Sequence, residues 1–329
     1  MNPDHDPAEP ADDAGEEISR DGYFPIRVVS QRTGVNSVTL RAWERRYGLL
    51  KPVRTPKGHR LYGEEDVARI LRIVEWIDRG VSIGRVRGLL ERDERLGAVD
   101  DDGAAAWELS DWQRYAARAQ QAVTQFDAQR LDDTVNEALS LYPFVTVCER
   151  LLDPLRRDAG AGIGTLPGAA AAGAFVEGYL RRKLAARLQF DGKQAGGAPV
   201  LVAALPGPVD DIALLTLAVG CIGMEIPVLL LETALGVEDL LVIGERRPLS
   251  AIVLHGGTAQ DAAAFTRFLQ RLAEARLAPV TITGPAARIH ERLIAAAGAH
   301  ALGDDSPAAA VRRLERQGGR PPATGEDLS

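Results

Sequence analysis

The sequence predicts a multidomain α + α/β chain: an N-terminal winged helix-turn-helix, a helical middle domain, and a C-terminal doubly wound parallel α/β domain. Three observations predict it. Residues 38–62, VTLRAWERRYGLLKPVRTPKGHRLY, set a basic helix, a tight exit and a Gly-centred basic hairpin back to back. Residues 107–190 are Ala/Leu/Arg-rich with helical spacing and no strong strand signal. Beyond the break DGKQAGGAP, apolar runs alternate with helical stretches, the pattern of β-α repeats. A length of 329 residues accommodates two or three compact units, and 46% hydrophobic content gives each a core.

Residues 1–21 are rich in Asp, Glu, Ala and Pro and are expected to be disordered. The winged unit follows over 22–94. Although the chain carries a formal net charge of −7, residues 22–90 hold fourteen Arg or Lys against six Asp or Glu, a local charge of about +8. A basic unit on an acidic chain suits phosphate binding. IRVVSQRTGV reads as a first helix ended by Gly34, with Asn36 or Ser37 capping the second. In that second helix, SVTLRAWERRY, the spacing turns Val38, Ala42 and Trp43 inward and Thr39, Arg41, Arg45 and Arg46 outward, which makes it the recognition helix. Gly48 ends it. VRTPKGHRLY then forms a wing around the Pro56-Lys57-Gly58 turn, where Arg54, Lys57, His59, Arg60 and Tyr62 are candidate phosphate and minor-groove contacts. Ser37 and Lys51 complete the candidate DNA-contacting set. GEEDVARILRIVEWIDRG and SIGRVRGLL are two further helices.

A Gly/Asp linker spans 95–106, the helical bundle 107–192, the α/β domain 198–317 and a polar tail, expected to be disordered, 318–329. Five strands are expected, in APVLVAALPG, IPVLLLETAL, SAIVLHGGTA, LAPVTITG and AHALGDD, with loops at their C-terminal ends as the ligand face. No apolar run reaches the ~18 residues of a membrane span, and the acidic start lacks the regions of a signal peptide. A cytoplasmic protein without membrane contact is expected. Cys148 and Cys221 form no CxxC pair or Cys/His cluster, so neither a disulfide framework nor a metal site is expected. No motif anchors a catalytic nucleophile, and no catalytic residues or enzyme activity are expected.

TGVNSVTLRAWERRYGLLKPVRTPKGHRLYGEEDV resembles the DNA-binding domain of MerR-family regulators, in the RAWERRYG variant of the CarH, LitR and MlrA branches. The resemblance implies that the helix carrying Arg41 enters the major groove, that the wing contacts backbone, and that a dimer or larger assembly binds promoter DNA and meets RNA polymerase holoenzyme. The later domains resemble the helical cap and cobalamin-binding domain of those branches. Cobalamin-binding domains of this kind place a Glu or Asp, a His and a Gly after the first strand, where this chain has Pro208, Asp210 and Ala213. The cap's Trp and Glu-His pair are replaced by Ile163, Gly173 and Ala174. A carboxylate is a hard ligand and a poor substitute for imidazole at cobalt. The expectation is therefore a regulator without cofactor, with activation favoured over repression. The alternatives are a cobalamin-dependent light or B12 sensor acting as a repressor, a response to another effector such as a nucleotide at His255, Gly256 and Gly257, and an interaction scaffold with a vestigial DNA module. His255 is otherwise a strand-end residue hydrogen-bonded to backbone, and Asp210 and Asp211 are helix caps.

Overall fold

The computed structural model describes residues 22–96, 105–161, 167–191, 197–257, 261–303 and 306–316. Both expected tails, most of the expected linker and Ile163 lie outside them.

The N-terminal unit opens with β1 (Phe24–Pro25), α1 (Ile26–Thr33) and α2 (Ser37–Ala42). Asn36 caps α2 by accepting a hydrogen bond from the Thr39 N–H. The helix does not stay regular: it widens into a π-type turn over Trp43–Tyr47 before Gly48. β2 (Val53–Arg54) and β3 (Arg60–Tyr62) are the arms of the wing. Between them Gly58 takes a φ of 87°, which a side chain rarely allows, and donates its N–H to the Thr55 carbonyl at 2.8 Å. β1, absent from the sequence expectation, pairs with β3, so the sheet order is β1-β3-β2, all antiparallel. Next come α3 (Glu64–Asp78) and α4 (Ile83–Leu96), whose apolar positions Val67, Ile70, Ile73, Ile77, Val86 and Leu90 close the core.

Helix occupies both ends of the expected linker, since α4 runs to Leu96 and α5 (Ala105–Thr124) begins early. α5 packs with α6 (Ala128–Leu141). α7 (Phe144–Val147) runs through a second π-type turn, Cys148–Leu152, into α8 (Asp153–Ala161), and α9 (Ala169–Asp191) completes a four-helix bundle.

The last domain alternates β4 (Val200–Ala204), α10 (Asp211–Gly223), β5 (Val228–Ala234), α11 (Val237–Arg246), β6 (Ala251–His255), α12 (Ala262–Ala275), β7 (Val280–Thr283), α13 (Pro285–Ile289), α14 (Glu291–Ala296), β8 (His300–Leu302) and α15 (Pro307–Arg316). All five strands are parallel, in the order β5-β4-β6-β7-β8. The two central strands, VLVAA and AIVLH, are buried at every residue because helices cover both faces. Alternate residues divide between those faces. Val200, Val202 and Ala204 join a core with α10 and α15, whereas Leu201, Ala203 and Leu205 join Leu240, Phe265, Leu269 and Ile294 from the helices opposite. α10 is buried from Ile212 to Ile222, lying between the sheet and α9. It also meets α15 closely: a Cβ at Gly220 would stand 2.4 Å from Val311 Cγ1.

The units are joined by specific contacts. The Trp43 indole N–H donates to the Leu141 carbonyl at 2.9 Å, seating the back of the N-terminal unit's second helix on α6. Arg27 and Gln31 of α1 donate to Glu225 beyond α10, at 2.6 and 3.0 Å. Arg312 of α15 pairs with Asp78 of α3 at 2.5 Å and with Glu149 of the bundle at 2.6 Å. No helix among the described residues is long and apolar enough to cross a membrane.

Candidate functional site

Charge and exposure converge on one side of the N-terminal unit. Arg45, Arg46, Lys51, Arg54, Lys57 and His59 are exposed, and Ser37 and Arg41 are half-buried. Three expectations are corrected there. Thr39 is fully buried and Val38 is 61% exposed, the reverse of the expected facing, because Asn36 starts the helix with Thr39, Leu40 and Trp43 turned to the core. Tyr62 is fully buried at the end of β3, so it belongs to the core; burial pushes its phenol up to about 12. Arg60 is 17% exposed and donates to Glu44 at 2.5 Å, while Arg54, 51% exposed, donates to the same carboxylate at 3.0 Å. Burial alone would raise the pKa of Glu44, but the two guanidinium groups hold it below the ordinary value. Arg60 therefore ties the wing to the second helix, and at the wing tip Lys57 is exposed with no ion pair among the described residues, while Arg54 is half-exposed beside Glu44.

The second site lies where the bundle covers the C-terminal ends of the strands. Asp210 caps α10, accepting the Ala213 N–H at 3.0 Å. It does more than cap. Arg156 of α8 grips both of its oxygens, at 2.9 and 3.0 Å, and reaches Glu177 of α9 through Nε at 2.7 Å. Beside it Arg181 of α9 pairs with Asp211. Burial would raise the pKa of Asp210, yet the Arg156 hydrogen bonds and charge and the Ala213 N–H hold it below the ordinary carboxylate value. The Arg156 guanidinium is desolvated, and its carboxylate partners raise its pKa nonetheless. Sequence reasoning missed Arg156, Glu177 and Arg181, which carry no local motif.

This arrangement does not fit a corrin held by a lower ligand. Both Asp210 oxygens are engaged, Ala213 is fully buried, and a carboxylate is the wrong donor for a soft metal. In the cap, Gly173 is buried and Ala174 exposed, neither offering a donor side chain. His255 is also unavailable: it is 7% exposed, its Nδ1 lies 3.0 Å from Thr283 Oγ1, and a Cβ on Gly284 would meet its ring at 2.5 Å. Burial lowers its pKa, against the opposing charge of Asp210. Gly256 serves packing rather than a phosphate. A Cβ there would stand 2.5 Å from Leu205, and its N–H and C=O are taken by Thr283 and Ala286. Gly257 is half-buried in open surroundings. His290 packs its ring on Phe265, with centroids 5.0 Å apart. Both cysteines are buried, and among the described residues no three His, Cys, Asp or Glu converge as a metal ion needs.

Residues 24–93 match the model of the MerR HTH family regulatory proteins. The chain is 31% identical over 280 residues to the HTH-type transcriptional repressor CarH of Myxococcus xanthus, covering 82% of this chain and 91% of that one. It is 36% identical over 134 residues to the HTH-type transcriptional regulator MlrA of Escherichia coli strain K12, covering 41% of this chain; the match spans about half, 51%, of that relative's length. Among solved structures, a monomethylamine corrinoid protein of Methanosarcina barkeri aligns with 62% of this chain and 99% of its own, at 16% identity and a TM-score of 0.44. The chain belongs to the MerR family of helix-turn-helix transcriptional regulators.

Proposed function

We propose that this regulator acts as a dimer or larger assembly on double-stranded promoter DNA in the cytoplasm, together with RNA polymerase holoenzyme, and that it does so without cobalamin. The observation that carries the cobalamin-independent reading is the grip of Arg156 on Asp210. A lower ligand must present a free lone pair, and a corrin needs the gap between cap and sheet that this ion pair spans. On the DNA side, Trp43 holds the back of the second helix against α6 while Val38, Arg45 and Arg46 stay exposed, which supports a standing, DNA-competent conformation. That also favours activation, because a repressor lifted by a ligand needs the ligand's site.

In this mechanism the basic helix and wing neutralise phosphates and supply most of the affinity, so binding falls steeply with salt. Two modules related by two-fold symmetry read two half-sites. The test is a gel-shift titration on an operator selected from a random duplex pool, between 50 and 200 mM salt, with and without adenosylcobalamin, in the dark and in light. A steep salt dependence and no response to corrinoid or light are expected. A corrinoid-dependent or light-dependent shift in affinity overturns the proposal. The sign of regulation follows from a reporter on the selected promoter: deleting the regulator lowers its expression if the protein is an activator.

A further inference from the structure

Val38 is a β-branched apolar side chain left 61% exposed on a helix whose neighbouring residues Thr39 and Leu40 are fully buried. It is the second residue of α2, and in helix-turn-helix proteins the N-terminal residues of the recognition helix are those that reach base edges. Val38, Arg41 and Ala42 follow the spacing i, i+3 and i+4 and so share one face, away from the buried Leu40, and Arg45 is exposed in the π-type turn that follows. That face is apolar at its leading end and flanked by cations. In the major groove the one apolar group a base edge presents is the C5-methyl of thymine.

We propose that Val38 reads a thymine in each half-site by packing on its methyl group, with Arg41 and Arg45 placing it there. The inference rests on the DNA-binding reading and adds to it a specificity-determining residue.

The test pairs removal of the two Val38 γ-methyl groups with removal of one DNA methyl. The operator selected by the wild-type protein is rebuilt with each thymine replaced in turn by uracil, which removes only the methyl, and every duplex is titrated with wild type and Val38→Ala. One thymine per half-site is expected to lose about fourfold in wild-type affinity when its methyl is removed, the scale of one buried methylene. Val38→Ala should lose the same factor on the intact operator and be indifferent to uracil at that position only. An unchanged thermal midpoint for Val38→Ala, expected of so exposed a residue, excludes a folding defect. If Val38→Ala responds to every uracil as wild type does, the inference is overturned while DNA binding stands. If wild type selects no operator at all, both readings fall.

Discussion

Replacing Arg156 by Gln removes three charge-assisted hydrogen bonds, two to Asp210 and one to Glu177, at 2.7 to 3.0 Å. The central pair's side chains are 28% and 36% exposed. That places them between an exposed ion pair, worth about 0–1 kcal/mol, and a fully buried one, where losing a partner costs about 3–5 kcal/mol. An intermediate cost of about 2 kcal/mol follows, or a roughly 30-fold rise in local opening. The opening is local because the contact joins cap to sheet without entering either core. Amide hydrogen exchange reads it directly, with the Ala213 N–H as reporter since it donates to Asp210 at 3.0 Å. α8, α9 and the first turn of α10 should lose protection together, and a double-mutant cycle with Asp210→Asn should return a coupling of about 1–2 kcal/mol. Unchanged exchange at Ala213 together with additive single variants would refute the idea that this pair closes the cap on the sheet.

Three other outcomes are expected. Arg41→Ala should lose preference for the operator, whereas Lys57→Ala should weaken binding to all sequences about equally and reduce the salt slope by about 1; competition gel shifts against a scrambled duplex separate the two. Tyr62→Phe should leave DNA affinity within about twofold of wild type. It should not lower stability by more than about 1 kcal/mol in urea denaturation, because the buried Tyr62 hydroxyl has no hydrogen-bond partner among the described residues to lose. Asp153 is raised to about 6 by burial, against the opposing effects of Ser306 and Arg156. Its folded pKa exceeds the unfolded value of 3.8, so the fold binds the extra proton between these values and this group's contribution to stability falls as pH rises from about 4 through about 6. Asp153→Asn should therefore stabilise the protein at pH 7–8 by up to about 3 kcal/mol and lose that advantage near pH 4, as followed by thermal melts across pH.

The second helix and the hairpin after it were legible because local chemistry writes them: Asn36 caps through its side-chain oxygen, and Gly48 exits and Gly58 turns through left-handed backbone. The five strands were legible because buried parallel strands are continuous apolar runs. Facing within α2 was not. Six residues span less than two turns, so period alone leaves the phase open, and the π-type turn after Ala42 shifts it further. The two-residue β1 is too short to leave a pattern. The Arg60–Glu44 and Arg156–Asp210 pairs join residues 16 and 54 positions apart, and an arginine looks the same in sequence whether it meets phosphate or carboxylate. That Asp210 stands where the resemblance places a histidine could be read in the sequence, but that Arg156 holds both of its oxygens could be read only from the fold.

The most direct test of the central claim is the visible absorption spectrum of the purified protein, recorded after incubation with adenosylcobalamin or methylcobalamin and desalting, in the dark and after illumination. A colourless protein is the expected result, with Asp210 held by Arg156 and no corrin retained between cap and sheet. Corrin absorbance that stays with the protein at stoichiometric level would contradict it and make the chain a cobalamin sensor.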